Sequence, residues 1–478
     1  MNKTKNPLFW VPSIYFIEGL PYTMVMTVAV IMYKNLGIPN EDIALYTSWL
    51  YLPWVIKPFW SPVVDALKTK KWWMFITQTL IGGAFACVAF TLPVDQFFQY
   101  SLAAFWLVAF TSATNDIATD GFYMIALKEE EQSLFVGIRS IFYRLAMWAG
   151  QGGIVMISGE LFEYYGNYKT AWSIIFFGLG IIMVGFALYH RFILPDAEQQ
   201  RSDDAKKEGV TEGVLMMVIL ISIAIFGWGI NEYVQPKNTT LTYILLGIIG
   251  LGILIFKFKK GAQESSSNEE SALRNFFNKK DLVQLIGFIL LFRLGEGQLV
   301  KIASPFLLDD VAQGGIGLDN DTLGFLYGTI GLGCLIGGGI LGGIAIYAKG
   351  LKFWLIPMVL SINLPNIGYW LLSSYQPESQ IAIGSVIAIE QFFYGFGFTA
   401  LMMYMVYVSK GEHKTSHYAI CTGFMALGMM LSGMVSGFIQ KYFGYTDFFL
   451  IVVLSGIPGL LWALRLKIDP EFGIKKEE

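Results

Sequence analysis

Charge is what this sequence has least of. Only 14% of its 478 residues are Asp, Glu, Lys or Arg, where soluble domains carry about a quarter. The basic excess that marks nucleic-acid binding is missing too, since the net charge is −3. Cysteine is nearly absent. Cys87, Cys334 and Cys421 are an odd, scattered set inside apolar runs, which argues against a disulfide framework. His413 and His417 stand at i, i+4 spacing, but a metal site needs more donors than these two, and no metal or cofactor is expected. No phosphate-cradling loop of the ATPase kind occurs, so ATP-driven pumping is unsupported. No nucleophile–base arrangement argues for an enzyme, and the polar stretches are too short for a soluble signalling domain.

What is present is apolar. Hydrophobic residues make up 55% of the chain and aromatic ones 16%. The stretches 75–93, 172–188 and 214–228 contain no charge at all. Each approaches the ~20 residues that cross a bilayer as a helix. Apolar segments fall near 8–33, 42–64, 73–93, 99–126, 133–158 and 169–194, then near 212–230 and 240–257. Six more lie near 282–308, 321–347, 352–373, 380–409, 415–440 and 446–466. The fold class predicted is an all-α membrane protein of about fourteen transmembrane helices. The short start before the first segment carries Lys3 and Lys5 and reads as leading into an uncleaved first helix.

With a cytoplasmic N-terminus, about 24 of the 33 basic residues fall in cytoplasmic loops or tails. That distribution predicts both termini on the cytoplasmic side of a bacterial inner membrane. Two polar stretches, 195–209 and 257–281, flank the middle pair of segments. The domain reading is therefore an N-terminal six-helix bundle over 1–195, linkers and an inserted transmembrane hairpin over 196–280 (the hairpin near 212–257), and a C-terminal six-helix bundle and tail over 281–478. The two bundles read as diverged copies. Gly37-Ile-Pro-Asn-Glu41 echoes Gly317-Leu-Asp-Asn-Asp321, and Asp116 with Gly121-Phe122 echoes Glu390 with Gly395-Phe396. Two such halves suggest the major facilitator architecture, with solute bound between them.

Ionisable residues inside a bilayer are costly and therefore informative. Glu18, Asp116, Asp120, Arg139, Arg144, Arg293, Glu296 and Glu390 all fall within apolar segments. Each either ties helices together or serves the solute. Asp116 and Asp120 share one helix face. Counted from the turn near 129–131, Asp120 matches Arg139 in depth and Asp116 matches Arg144, so two cross-helix pairs are expected. Arg139 and Arg144, five residues apart, share a face poorly. Asp120–Arg139 reads as a fixed structural pair. Asp116 and Glu296 read as proton-coupling carboxylates, with Arg144 and Arg293 beside them or on an anionic group of the solute. Glu18 and Glu390 read as cavity lining. Glycine beside Glu18 and Glu296 either lets the helix break and admit water or packs tightly against a neighbour. Tyr143 and Tyr394 lie deep enough to meet a sugar ring or simply to fill the core. Trp54, Trp60, Trp72 and Trp73 read as an interfacial belt.

Several of these stretches together resemble the AmpG-like muropeptide permeases of the major facilitator superfamily, relatives of the acetyl-CoA transporters. They are Glu18-Gly-Leu-Pro21, Lys57-Pro-Phe-Trp-Ser-Pro-Val-Val-Asp65, Asn115-Asp-Ile-Ala-Thr-Asp120 with Tyr143-Arg-Leu145, Phe292-Arg-Leu-Gly-Glu296 and Gly368-Tyr-Trp-Leu-Leu372. The resemblance implies import of an anhydro-muropeptide or related amino sugar driven by protons. It also implies a gate braced by the loop from Asp65 to Lys71, where lysines replace the usual glycine–arginine run. The expected partners are a small polar solute, protons and lipid, with a monomer as the working unit. An acyl-CoA or siderophore-like anion is the alternative cargo, and a membrane-embedded enzyme or sensor is the reading of a different class.

Overall fold

The structure is a computed structural model and describes residues 6–197, 272–279, 281–410 and 414–474. The hairpin expected over 212–257, most of its linkers and His413 lie outside the described residues. The first part of the chain forms α1 (Val11–Thr23), α2 (Ala29–Asn35), α3 (Asn40–Trp49), α4 (Leu52–Leu67), α5 (Lys70–Thr91), α6 (Phe97–Ala126), α7 (Glu129–Trp148), α8 (Val155–Tyr165) and α9 (Tyr168–Ile193). The second part forms α10 (Ala272–Phe277), α11 (Leu282–Phe292), α12 (Leu294–Leu308), α13 (Asn320–Leu323), α14 (Leu332–Asn363), α15 (Ile367–Tyr375), α16 (Gln380–Val408), α17 (Lys414–Leu454) and α18 (Gly456–Ala463). Among the described residues there is no β-strand. Wider π-turns join α1 to α2, α7 to α8 and α13 to α14.

Seven described stretches are long and apolar enough to cross a membrane, among them Pro7–Asn35, Lys70–Thr91, Leu282–Leu308 and Gln380–Val408. Two others, Asn320–Tyr375 and His417–Ala463, run 56 and 47 residues. Straight helices of that size would reach about 70–84 Å, over twice the ~30 Å hydrocarbon core. Each is instead broken by a glycine at positive φ, Gly350 at 80° and Gly444 at 76°, a region that residues with a Cβ rarely adopt. Neither stretch therefore runs as one straight helix.

The turn repeat seen in the sequence has a structural counterpart. Gly37 and Gly317 take φ of 78° and 77°, and three residues later Asn40 and Asn320 each open a helix. The two parts meet along a seam in which α3 and α4 lie against α17 and α2 lies against α12. The π-turns at Ala149–Ile154 and Gly324–Gly331 also meet there. At Gly328 a Cβ would come within 2.3 Å of the Gln151 carbonyl oxygen, so only glycine lets these backbones touch.

Candidate functional site

The seam holds a half-open cavity of about 180 Å³. Tyr22, Tyr51, Trp54, Lys57, Asp116 and Tyr143 form one wall, and Arg293 with Thr422, Met425, Ala426 and Met429 forms the other. On α4 the spacing of three between Trp54 and Lys57 puts both on one face. Trp54 Nε1 donates to Asp116 Oδ2 at 2.8 Å, and Lys57 Nζ stands 3.7 Å from the same oxygen. The Tyr22 ring meets Trp54 edge to face, with centroids 5.3 Å apart, a packing geometry that holds the indole in place.

Arg293 occupies a break. It ends α11 and begins α12 with φ −105° and ψ 19°, so the helix is interrupted three residues before Glu296. Its guanidinium donates to Tyr394 Oη at 2.5 Å and lies 5.0 Å from the Phe398 ring centroid. Its Nε has no hydrogen-bond partner among the described residues. Glu296, in the first turn of α12, is buried, and its Oε2 has no partner among them either. Gly295 and Gly297 do not open a water path. A Cβ on Gly295 would lie 2.7 Å from the Val452 carbonyl oxygen and one on Gly297 1.9 Å from Ser432 Oγ, so both glycines serve close packing against α17.

Asp120 and Arg139 pair at 2.8 Å. Tyr15 Oη donates to Asp120 at 3.3 Å, and the Arg139 guanidinium lies 4.5 Å above the Tyr15 ring. The pair expected between Asp116 and Arg144 is not formed, because Asp116 faces Trp54 and Lys57 instead. Five residues turn a helix by about 140°, so with Arg139 against α6, Arg144 swings toward α14 near Gly339. Glu18 is buried with Oε2 unpartnered among the described residues, and beside it Gly19 packs against Tyr143 and Ala146 of α7. Glu390 is buried and accepts from Gln391 Nε2 at 2.9 Å. Of the expected cavity residues, Tyr143 and Arg293 line this space, together with the expected coupling carboxylate Asp116, while Tyr394 holds Arg293 from behind. Asp65 sits in the last turns of α4, and its side chain lies outside the description.

Sequence reasoning missed Lys57, Tyr22 and Tyr51 as wall residues and misread Trp54. Trp72 is exposed, as a belt residue should be, whereas Trp54 is buried in the cavity wall. The available signal was the aromatic–aromatic–cation series Tyr51, Trp54, Lys57 at steps of three, with a lysine inside an apolar segment.

Toward the end where α2 gives way to α3, polar ties cross the seam. Lys34 pairs with Asp309 at 2.5 Å and Lys441 with Glu41 at 2.5 Å. Asn40 Nδ2 donates to Tyr445 Oη at 2.7 Å and to Gln440 Oε1 at 3.1 Å, and Tyr445 Oη donates to Asp309. Asn320 donates to Asn35 and to Ser158, both at 2.8 Å. Deeper in the seam, Lys301 donates to Thr47 Oγ1 at 2.9 Å.

The fold and site can be set beside known proteins. Residues 13–412 match the sequence profile of the Major Facilitator Superfamily. An AmpG-named transporter of Rickettsia conorii is 24% identical, with 97% of each chain covered. The anhydromuropeptide permease of Escherichia coli is 22% identical over 96% of this chain and 79% of its own. In fold, a POT family transporter solved with 5-aminolevulinic acid superposes with a TM-score of 0.67 at 13% identity, covering 95% of this chain and 94% of that one. A bacterial homologue of the human lysosomal transporter Spinster, inward-facing and occupied, superposes at 0.66 and 11% identity, covering 96% and 97%. These relatives are named as permeases and transporters rather than as enzymes. The chain is a multi-pass membrane transporter that belongs to the Major Facilitator Superfamily and is similar to its AmpG-like permeases.

Proposed function

We propose that this transporter imports a polar, sugar-containing solute, an anhydro-muropeptide or related amino sugar, together with protons, by alternating access. The observation that carries the reading is the cavity at the seam, walled by both parts of the chain and holding Asp116 beside Lys57. A carboxylate there can trade its charge for a proton, and the cost of a bare charge in low dielectric makes that trade sensitive to which way the cavity opens. The polar ties around Lys34, Asn40 and Asp309 close one end of the seam, which suits a carrier caught shut on that side. Solute pockets usually measure ~300–1,000 Å³, so the present 180 Å³ fits a contracted state whose walls part to admit cargo. The solute class follows the names of the AmpG-like relatives.

The same reading places two six-helix halves at 1–195 and 281–478 around an inserted pair within 196–280, about fourteen spans in all. It places both termini in the cytoplasm, the protein in a bacterial inner membrane, and a monomer as the working unit. Asp116 and Glu296 carry the coupling protons. Glu18, Arg144, Arg293, Glu390, Tyr143 and Tyr394 serve the solute path, and Asp120, Arg139 and Asp65 brace the gate. An acyl-CoA or siderophore-like anion is the second cargo class, favoured by the two cations Lys57 and Arg293 in the walls. Uptake by proteoliposomes with and without an imposed pH gradient tests the proposal. Gradient-driven accumulation of an anhydro-muropeptide is expected. Equal uptake without the gradient, or uptake of a CoA ester alone, overturns it.

A further inference from the structure

We infer that the cavity selects its solute by an anionic group, held between Lys57 on one wall and Arg293 on the other. This inference rests on the transport reading and adds to it the charge of the recognised end and Lys57 as a specificity residue. The cavity walls carry two cations and one carboxylate. That carboxylate, Asp116, is already held by Trp54 at 2.8 Å, and Lys57 stands 3.7 Å from it, beyond hydrogen-bond reach. Lys57 therefore has Coulomb attraction from Asp116 without a direct bond to it. Arg293 is buried and donates to a phenol, Tyr394, while its Nε has no partner among the described residues. A guanidinium presents a planar fork suited to a carboxylate or phosphate. Here that fork has no carboxylate within ion-pair distance among the described residues.

A solute carboxylate satisfies both walls at once. It offers the Arg293 fork its missing acceptor and gives Lys57 a direct partner, drawing the ammonium away from Asp116. Charge-assisted hydrogen bonds of this kind are about twice as strong as neutral ones. Because Lys57 comes from α4 and Arg293 from the α11–α12 break, the anion bridges the two parts of the chain. Asp116, left with Trp54 alone, then becomes the group that a proton can neutralise. Tyr22, Tyr51 and Trp54 supply apolar faces for an uncharged ring at the other end of the solute.

The test compares two synthetic probes, an anhydro-muramyl tripeptide with free carboxylates and the same compound fully amidated. Binding to purified full-length protein and counterflow in proteoliposomes are both measured. The acid is expected to bind at least about tenfold more tightly than the amide, a difference of about 1.4 kcal/mol. Lys57→Met and Arg293→Gln should each bring that ratio close to one, by weakening the acid much more than the amide. Lys57→Arg and Arg293→Lys, which keep the charge, should restore part of it and control for misfolding. A ratio near one in the wild type, or an unchanged ratio in both neutral variants, overturns the clamp. If the amide is bound and exchanged as well as the acid, the clamp falls while the transport reading stands. If wild-type protein binds and exchanges neither probe, the muropeptide reading falls and the clamp falls with it.

Discussion

Lys34 Nζ and Asp309 Oδ1 stand 2.5 Å apart across the seam, with only 15% and 10% of their side chains exposed. Asn40 reinforces the contact from both sides, since its carbonyl accepts from Lys34 at 2.9 Å and its amide donates to Tyr445, which donates to Asp309. Removing one member of a buried pair typically costs about 3–5 kcal/mol, because the other charge is stranded. Here Asn40 and Tyr445 remain to share that charge, so a smaller effect of about 1–3 kcal/mol is expected. Lys34→Met or Asp309→Asn should shift the closed end toward opening by about five- to 140-fold, at about 1.4 kcal/mol per tenfold. The readout is thiol labelling at Ile43→Cys, a fully buried position just below Asn40, in a background lacking Cys87, Cys334 and Cys421. The exchanged pair, Lys34→Asp with Asp309→Lys, should slow labelling again. Unchanged labelling in both single variants would mean the contact does not hold this end shut.

The coupling assignment separates two activities that an ordinary uptake assay merges. Counterflow needs binding and reorientation but no net proton movement. Asp116→Asn keeps an acceptor for Trp54 and removes the titrating charge. Glu296→Gln does the same for a buried carboxylate whose Oε2 has no partner among the described residues. Each should lose accumulation driven by a pH gradient, and at least one should retain counterflow. The accumulation of the wild type should rise as external pH falls, and that dependence should flatten in both variants. Full proton-driven accumulation in both would reduce these charges to structural ties.

Much of this was readable in the sequence because the bilayer makes each charge conspicuous. Asp120 and Arg139 could be matched by counting from one turn, since two antiparallel helices leaving a short turn keep equal depth. The same count failed for Asp116 and Arg144, because depth says nothing about rotation. Five residues from Arg139, Arg144 points toward another helix. Lys57 approaches Asp116 from α4, a segment distant in sequence and placed only by packing. The glycines around Glu296 were legible as small residues, but whether they admitted water or a neighbouring helix depended on α17, whose approach no local pattern encodes. The Gly37 and Gly317 turns were the reverse case, local motifs repeated in the sequence whose glycines permit the left-handed backbone they adopt.

The Asp120–Arg139 pair is about one-third exposed on each side, which limits the ion pair itself to about 1 kcal/mol or less. Arg139 makes more contacts than Asp120, since it lies over the Tyr15 ring at 4.5 Å and near Tyr123 at 5.8 Å. Each cation–π contact adds about 0.5–1 kcal/mol. Arg139→Ala should therefore lower thermal stability in detergent more than Asp120→Ala, which loses the ion pair and one hydrogen bond from Tyr15. Added salt should shrink the Asp120→Ala effect more than the Arg139→Ala effect. Equal losses for the two variants would show that the aromatic contacts add no more than the Tyr15–Asp120 hydrogen bond does.

Lys301 poses the opposite problem, a cation with too few partners. Its side chain is almost fully buried in α12. Its Nζ donates to Thr47 Oγ1 at 2.9 Å and lies 5.2 Å from the Tyr51 ring centroid. No carboxylate stands within ion-pair distance of it among the described residues. The acids at the closed end of the seam are engaged elsewhere, Asp309 by Lys34 and Glu41 by Lys441. One hydroxyl and one ring face offset only part of the several kcal/mol that burying an ammonium costs. Methionine has nearly the same length and flexibility and carries no charge. Lys301→Met should thus stabilise this closed arrangement, by about 1–4 kcal/mol on the scale seen when buried charges are replaced by apolar residues. Thr47→Val supplies the internal control. In the wild type it strips the ammonium of its acceptor and should destabilise the protein. In Lys301→Met it removes only a hydroxyl that retains its own bond to the Ile43 carbonyl, and should be close to neutral. Thermal unfolding of the four proteins gives the coupling directly. A lower Tm for Lys301→Met, with additive single effects, would show that the ammonium is held by more than Thr47 and Tyr51 and that its burial is already compensated.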